Sequence, residues 1–214
     1  IDSLLKDAQN FLDQGFRSMK IRVGKTNWKN DVERVKEVRN AVGPDIELMA
    51  DINQALEPKQ AIQLGKQLEE YDLLWLEEPV ASNNREGHAE VRSALATPIA
   101  SGENEYSLSG MREIIEAKAC DILMPDLQRI GGISEMRKVA NLAESHNLPI
   151  STHIFTEHSL SVAGSVTNCL SVEHMPWFSK LFNEQIYVIN GYIDIPERPG
   201  TGFTFNESYI KLIN

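Results

Sequence analysis

Leu74-Trp75-Leu76-Glu77, with Leu48-Met49-Ala50-Asp51 before it and Ile99-Ala100-Ser101-Gly102-Glu103 after it, is one short phrase written three times: an apolar run ending on a carboxylate. Apolar runs of this length, bounded by polar segments, read as strands buried on both faces. Working outward, the same reading gives strands at Met19–Val23, Glu47–Ala50, Leu73–Leu76, Pro98–Ser101, Ile122–Met124, Leu148–Thr152 and Leu170–Glu173. Between them the apolar residues change to helical spacing. Val32, Val35, Val38 and Val42 form one stripe, Ala61, Ile62, Leu64 and Leu68 a second, and Met136, Val139, Ala140 and Ala143 a third. Leu4, Leu5, Ala8, Phe11 and Leu12 predict a helix at the start, and Val42-Gly43-Pro44 is a helix stop.

Strand follows strand at roughly 25 residues, the length of a βα unit, which predicts a parallel sheet covered by helices. No G-x-G-x-x-G or Walker loop follows the first strand, so a closed α/β barrel of the TIM type is favoured over an open nucleotide-binding sheet. Such a barrel needs eight strands and seven are visible. The chain also begins at Ile1-Asp2-Ser3 without Met. It therefore reads as the interior of a longer protein, with the first barrel strand missing. The expected division is a (β/α) barrel over 1–182 and an appendage over 183–214. Within the appendage, Asn190-Gly191 predicts a two-residue hairpin centred in Gln185–Ile195, Pro199-Gly200-Thr201-Gly202 is loop, and the tail returns to a partner segment.

Composition narrows the function. With 214 residues, 42% hydrophobic and 24% charged, the chain has the balance of a globular domain. A net charge of -10 without a basic stripe argues against nucleic acid. It is compatible with a small acidic substrate if a metal inverts the local field. No apolar run reaches the roughly 20 residues of a membrane span, no leader is expected, and the cytoplasm is the expected compartment. Cys120 and Cys169 are far apart in sequence and read as buried free thiols.

The chemistry is written at the strand ends, the rim where barrels place their active sites. Asp51, Glu77 and Glu103 on three consecutive strands would repel one another without a cation among them, and an all-oxygen set suits Mg²⁺ better than zinc. The next two strand ends carry Asp126 and His153, a carboxylate able to orient an imidazole and raise its basicity as a general base. Glu173 ends the last strand and could donate a hydrogen bond if protonated. His88, His146, His158 and His174 lack such a setting, although His174 adjoins Glu173. Lys20 and Arg22, two apart, share a face. Lys20 can pair with a substrate carboxylate or take a proton, whereas Arg22 stays protonated and is no base.

The ordered set Lys20-Ile-Arg22, Asp51-Ile-Asn53, Trp75-Leu-Glu-Glu-Pro79, Gly102-Glu-Asn104, Met124-Pro-Asp126 through Ile130-Gly-Gly132, Ser151-Thr-His153 and Glu173 resembles the barrel domain of the enolase superfamily, within it the mandelate racemase subgroup of the mandelate racemase/muconate lactonizing enzyme family. The resemblance implies Mg²⁺ on Asp51, Glu77 and Glu103, with Glu78 and Asn104 supporting the ligands. It further implies a His153–Asp126 base pair, Glu173 on an enediolate oxygen, and Asn53, Lys20 and Arg22 toward substrate. It also implies an N-terminal capping domain, absent here, and assembly into homo-oligomers. The subgroup's usual Lys-x-Lys reads Lys20-Ile-Arg22, which leaves one face of the α-carbon without a plain base. Dehydration of a sugar acid is therefore expected ahead of racemisation or epimerisation, which would need Lys20 or Lys25 on that face. A muconate-type cycloisomerase, which usually relies on a lysine pair there, is less favoured. A metal-stabilised barrel without activity is the reading from another class.

Overall fold

In a computed structural model of the protein, residues 1–25 and 28–210 are described. Their contacts divide the chain into two compact units. The first comprises Ile1–Gly102, Arg112–Leu123 and Val188–Tyr192, and the second Glu103–Met111, Met124–Tyr187 and Ile193–Asn214.

The first unit alternates as anticipated: α1 (Asp2–Asp13), β1 (Ser18–Arg22), α2 (Asp31–Val42), β2 (Glu47–Asp51), α3 (Pro58–Leu68), β3 (Leu73–Glu77), α4 (Arg85–Ala94), β4 (Ile99–Ser101) and β5 (Ile122–Leu123). The five strands are parallel and lie in chain order. Val35 and Val38 of α2, Ala61, Leu64 and Leu68 of α3, and Val91 of α4 form one core with Met19, Ile21, Leu48, Ala50, Leu76 and Ile99. This follows from the two periodicities: the helices bury their stripes against the apolar residues of the sheet. The helix stop at Gly43 is real, with φ +81 and ψ 175, a positive-φ extended conformation that only glycine takes without strain.

Between β2 and β3 the pairing slips by one residue: Leu48 faces Leu73, but Ala50 faces Leu76 and Asp51 faces Glu77. The slip has a consequence for the site. It changes the phase of β3 so that the two terminal carboxylates are register partners on neighbouring strands, which lie about 4.8 Å apart.

In the second unit α7 (Ile133–Ser145) buries Met136, Val139, Ala140 and Ala143. The parallel strands β6 (Ile150–Thr152) and β7 (Cys169–Val172) flank α8 (Thr156–Ala163). Here too the register slips, from Ile150↔Cys169 to Ser151↔Ser171, and Leu170 at the slip is 50% exposed. The short α6 (Leu127–Ile130) is capped by Asp126, whose side chain accepts from the backbone N–H groups of Gln128 and Arg129. Helix α5 (Ser107–Glu116) is shared between the units.

The segment after Trp177 differs from expectation. Asn190-Gly191 does turn, at φ +51 and +85, and Ile189 and Tyr192 exchange backbone hydrogen bonds. That single bridge is not extended into a hairpin ladder. The Gly191 N–H goes to the Gly15 carbonyl instead, and Tyr187, Ile189 and Tyr192 are exposed, so no apolar face rewards longer pairing. The tail does return, by an antiparallel bridge between Phe182 and Phe205; residues 211–214 lie outside the described residues. Cys120 is buried and Cys169 only partly so, because β7 is bonded on one side in this unit; both are free. Burial pushes the Cys120 thiol up to about 12 and that of Cys169 to about 11. No helix among the described residues is long and apolar enough to cross a membrane.

Candidate active site

In the first unit the strand ends gather carboxylates and cations. Asp51 and Glu77, 3% and 0% exposed, end β2 and β3 side by side. Lys20 and Arg22, alternate residues of β1, each reach one of them: Lys20 Nζ lies 2.5 Å from Glu77 Oε1 and Arg22 Nη2 lies 3.1 Å from Asp51 Oδ2. The indole N–H of Trp75 donates to the other Glu77 oxygen at 2.8 Å. Asp51 Oδ1 accepts the backbone N–H of Asn53, itself in a left-handed turn at φ +49. Lys25 is exposed in the loop beyond β1.

Immediately after Glu77 the chain makes a left-handed turn at Glu78, φ +42. The Glu78 side chain is completely buried and points at β4, accepting from Ser101 Oγ at 2.6 Å and from the Gly102 N–H at 3.3 Å.

In the second unit one histidine stands among three acids. His153 Nδ1 is 2.8 Å from Asp126 Oδ2, and its Nε2 lies 3.2 Å from Glu103 Oε2 and 4.0 Å from Glu173 Oε2. Because the other Asp126 oxygen caps α6, this carboxylate is held from two sides and the imidazole inherits its orientation. Burial alone would lower the His153 pKa; the hydrogen bond that His153 donates to Asp126 and the charges of Glu103, Glu173 and Asp126 overcome it and raise the pKa above its ordinary value. For Asp126, burial works upward, but the bonds from His153 and the Arg129 and Gln128 amides hold it below the usual carboxylate range.

Beyond His153 the chain turns left-handed at Ile154 and Phe155, φ +30 and +49, and the Ile154 N–H donates to Glu173 Oε2 at 2.9 Å. A β-branched residue in that region costs of the order of 1–3 kcal/mol and persists only where its surroundings hold it. Thr156 Oγ1 donates to the Glu173 carbonyl at 2.8 Å, which fixes the same corner.

Glu103 is supported by Asn104, whose amide donates to it at 3.2 Å, and by Arg129. The Arg129 guanidinium donates to the Glu103 carbonyl at 2.7 Å and to Asn104 Oδ1 at 3.1 Å. Sequence reading passed over Arg129, which lies inside the quoted run from Met124 to Gly132; a basic residue three past an acid cap was the available signal. His88, set aside as contextless, is 1% exposed and 3.3 Å from Ser101 Oγ. His146 ends α7, His158 meets Phe182 edge-on, and His174 lies by Thr156.

Among the described residues no three His, Cys, Asp or Glu side chains are gathered closely enough to hold a metal ion. Each candidate ligand is instead turned onto a cation or base: Glu77 onto Lys20, Asp51 onto Arg22, and Glu103 onto His153. The donor chemistry still fits a hard cation, being buried carboxylate oxygen throughout, with two of the three acids on paired residues.

The chain belongs to the enolase C-terminal domain-like family, whose model matches residues 3–209. It is 36% identical over 207 residues to L-talarate/galactarate dehydratase of Salmonella typhimurium, covering 97% of this chain and 52% of that protein. It is 38% identical over 184 residues to D-xylonate dehydratase of Haloferax volcanii, covering 82% of this chain and 45% of the relative. The crystal structure of L-talarate dehydratase from Polaromonas sp. JS666, complexed with Mg and L-glucarate, superposes with a TM-score of 0.93 at 35% identity, over 96% of this chain and 57% of that one. The chain thus spans about half the length of the relatives it matches.

Proposed function

We propose that this chain is the catalytic portion of a Mg²⁺-dependent acid-sugar dehydratase of the lyase class. The observation that carries the reading is the surroundings of His153: a half-buried imidazole with one nitrogen on Asp126 and the other beside Glu103 and Glu173. That is how a base is held when it must take a proton from carbon and carry it as an imidazolium.

Asp51, Glu77 and Glu103 would hold the ion, exchanging their present partners for it, and Lys20 and Arg22 would be released toward a substrate carboxylate. Bound Mg²⁺ supplies positive charge against the doubly negative enediolate of the substrate. His153 removes the α-proton at Nε2, while Asp126 keeps the proton on Nδ1 and stabilises the cation that forms. The electron pair left on the α-carbon expels the β-hydroxyl, which leaves as water by taking the proton from His153, and the enol collapses to a 2-keto-3-deoxy acid. Glu173, 4.0 Å from His153 Nε2, would bond an enediolate oxygen, and Asn53 would bind the substrate. Chemistry from one face is favoured because the Arg22 guanidinium is no base and Lys20, once released from Glu77, would be committed to the substrate carboxylate.

The test is a screen of the full-length protein with Mg²⁺ against mono- and diacid sugars for keto-acid formation. A positive substrate should lose turnover by about 10³-fold in His153→Asn, in line with the contribution of a positioned general base. Dehydration at the parental rate by that variant would refute the assignment. Exchange of the α-proton in deuterated water without loss of water would point to an epimerase.

A further inference from the structure

His88 is a buried histidine that the reaction does not use. It sits in the first turn of α4, where the Asn84 side chain caps the Gly87 N–H and the Asn84 carbonyl lies 3.1 Å from His88 Nδ1. A carbonyl only accepts, so Nδ1 carries the proton and Nε2 faces Ser101 Oγ at 3.3 Å. The Ser101 hydroxyl in turn donates to Glu78 Oε1 at 2.6 Å. An unbroken line of polar contacts therefore runs from the cap of α4 through His88 and Ser101 to Glu78, all of it buried apart from its Asn84 end. An apolar side chain could fill the same volume without the cost of burying an imidazole, so the polar line needs a reason beyond packing.

The reason lies in what Glu78 does. Its backbone holds the left-handed turn directly behind Glu77 and is tied on both sides: its N–H donates to the Ala100 carbonyl at 3.0 Å, and its carbonyl accepts the Gln54 N–H at 2.8 Å. Its carboxylate accepts from Ser101 and Gly102. One residue thus joins the ends of β2, β3 and β4, the strands from which Asp51, Glu77 and Glu103 issue. We infer that His88 is a positioning residue that, through Ser101, fixes the Glu78 clamp and so presets the ligand-bearing strand ends for the cation. This rests on the Mg²⁺ reading above.

Calorimetric titration of the full-length protein with Mg²⁺ alone, with the melting temperature of the metal-free protein measured in parallel, tests it. His88→Asn keeps a donor toward Asn84 but is too short for Ser101, whereas His88→Gln places an amide near the position of Nε2. Removing support behind a metal ligand typically weakens binding by about tenfold or more. His88→Asn and Ser101→Ala are each expected to bind about tenfold more weakly, His88→Gln within about threefold of the parent, and the double variant no worse than Ser101→Ala alone, as for two members of one relay.

Parental affinity in His88→Asn, equal losses in Asn and Gln, or losses that multiply to about a hundredfold in the double variant would overturn the inference while leaving the Mg²⁺ site standing. A lowered melting temperature with unchanged affinity would do the same. Absence of Mg²⁺ binding by the parent would remove the metal reading and this inference with it. Should His88→Asn not fold, Ser101→Ala against Ser101→Thr decides, with loss of affinity expected only where the hydroxyl is lost.

Discussion

The two units hold their buried charge in opposite ways. In the first, each carboxylate at a strand end has its own cation: Lys20 on Glu77 and Arg22 on Asp51. In the second, three acids surround one imidazole, and a proton on His153 would offset only one of their three negative charges. Under the proposed function, the first would exchange these cations for a metal ion, and the second would hold a base stronger than a free histidine. The two share a construction device, however. Each has a one-residue register slip ahead of its terminal acid, and a non-glycine left-handed turn just after the key residue, at Glu78 in one and Ile154 in the other.

The contrast can be tested hardest at Asp126, which both caps α6 and bonds His153. Asp126→Asn keeps an oxygen for the α6 cap but loses the charge behind His153. Turnover should fall by about 10²-fold with little change in melting temperature, the low end of a general-base contribution. Asp126→Ala should lose the same activity and also about 1 kcal/mol of stability, the usual value of a helix cap. Denaturant titration of the two variants separates the roles, and equal stability would show that the cap contributes nothing.

In the first unit the expected effects are on stability. Lys20→Met strips the counter-charge from a Glu77 side chain that is 0% exposed, and breaking such a pair costs about 3 kcal/mol. Mg²⁺ should restore much of that loss, since it supplies the missing charge. Arg22→Met removes a partner whose side chain is 52% exposed, so less than about 1 kcal/mol is expected. Thermal melts with and without Mg²⁺ measure both, and a larger loss for Arg22 than for Lys20 would invert the ranking.

The smallest effect concerns His174 in the second unit. Burial lowers its pKa, against a smaller upward pull from Glu157. A histidine depressed in the fold favours the neutral form there, so its contribution is fully present above about pH 6.5, its unfolded value, and is lost as pH falls through the lower folded value. Urea midpoints at pH 7.5 and pH 5 should therefore differ less in His174→Gln than in the parent; an unchanged difference would exclude this histidine as a source of the acid sensitivity.

Much of this could be read without coordinates because it is local. Strands β1 to β7 fall within two residues of their expected limits, since an apolar run and its turn residues are properties of neighbouring positions. The acids at the strand ends are legible for the same reason: a side chain at the end of a strand is placed by its position in the run. Asp126 and His153 were paired on that basis, and the bond between them is present. The Asn190-Gly191 turn was equally local, but the ladder expected on either side depended on an apolar face that those residues do not find.

The amino-acid sequence alone therefore determined the alternation of strand and helix, the carboxylates that close the strands, and the acid–imidazole pairing, all set by spacing along the chain. Only the tertiary structure decided the register slip that aligns Asp51 with Glu77, the Arg129 support of Glu103, and the line from His88 through Ser101 to Glu78. Each of these joins residues that are far apart in sequence. Register and burial depend on the neighbouring strand as much as on the strand itself, and that information does not exist until the chain has folded.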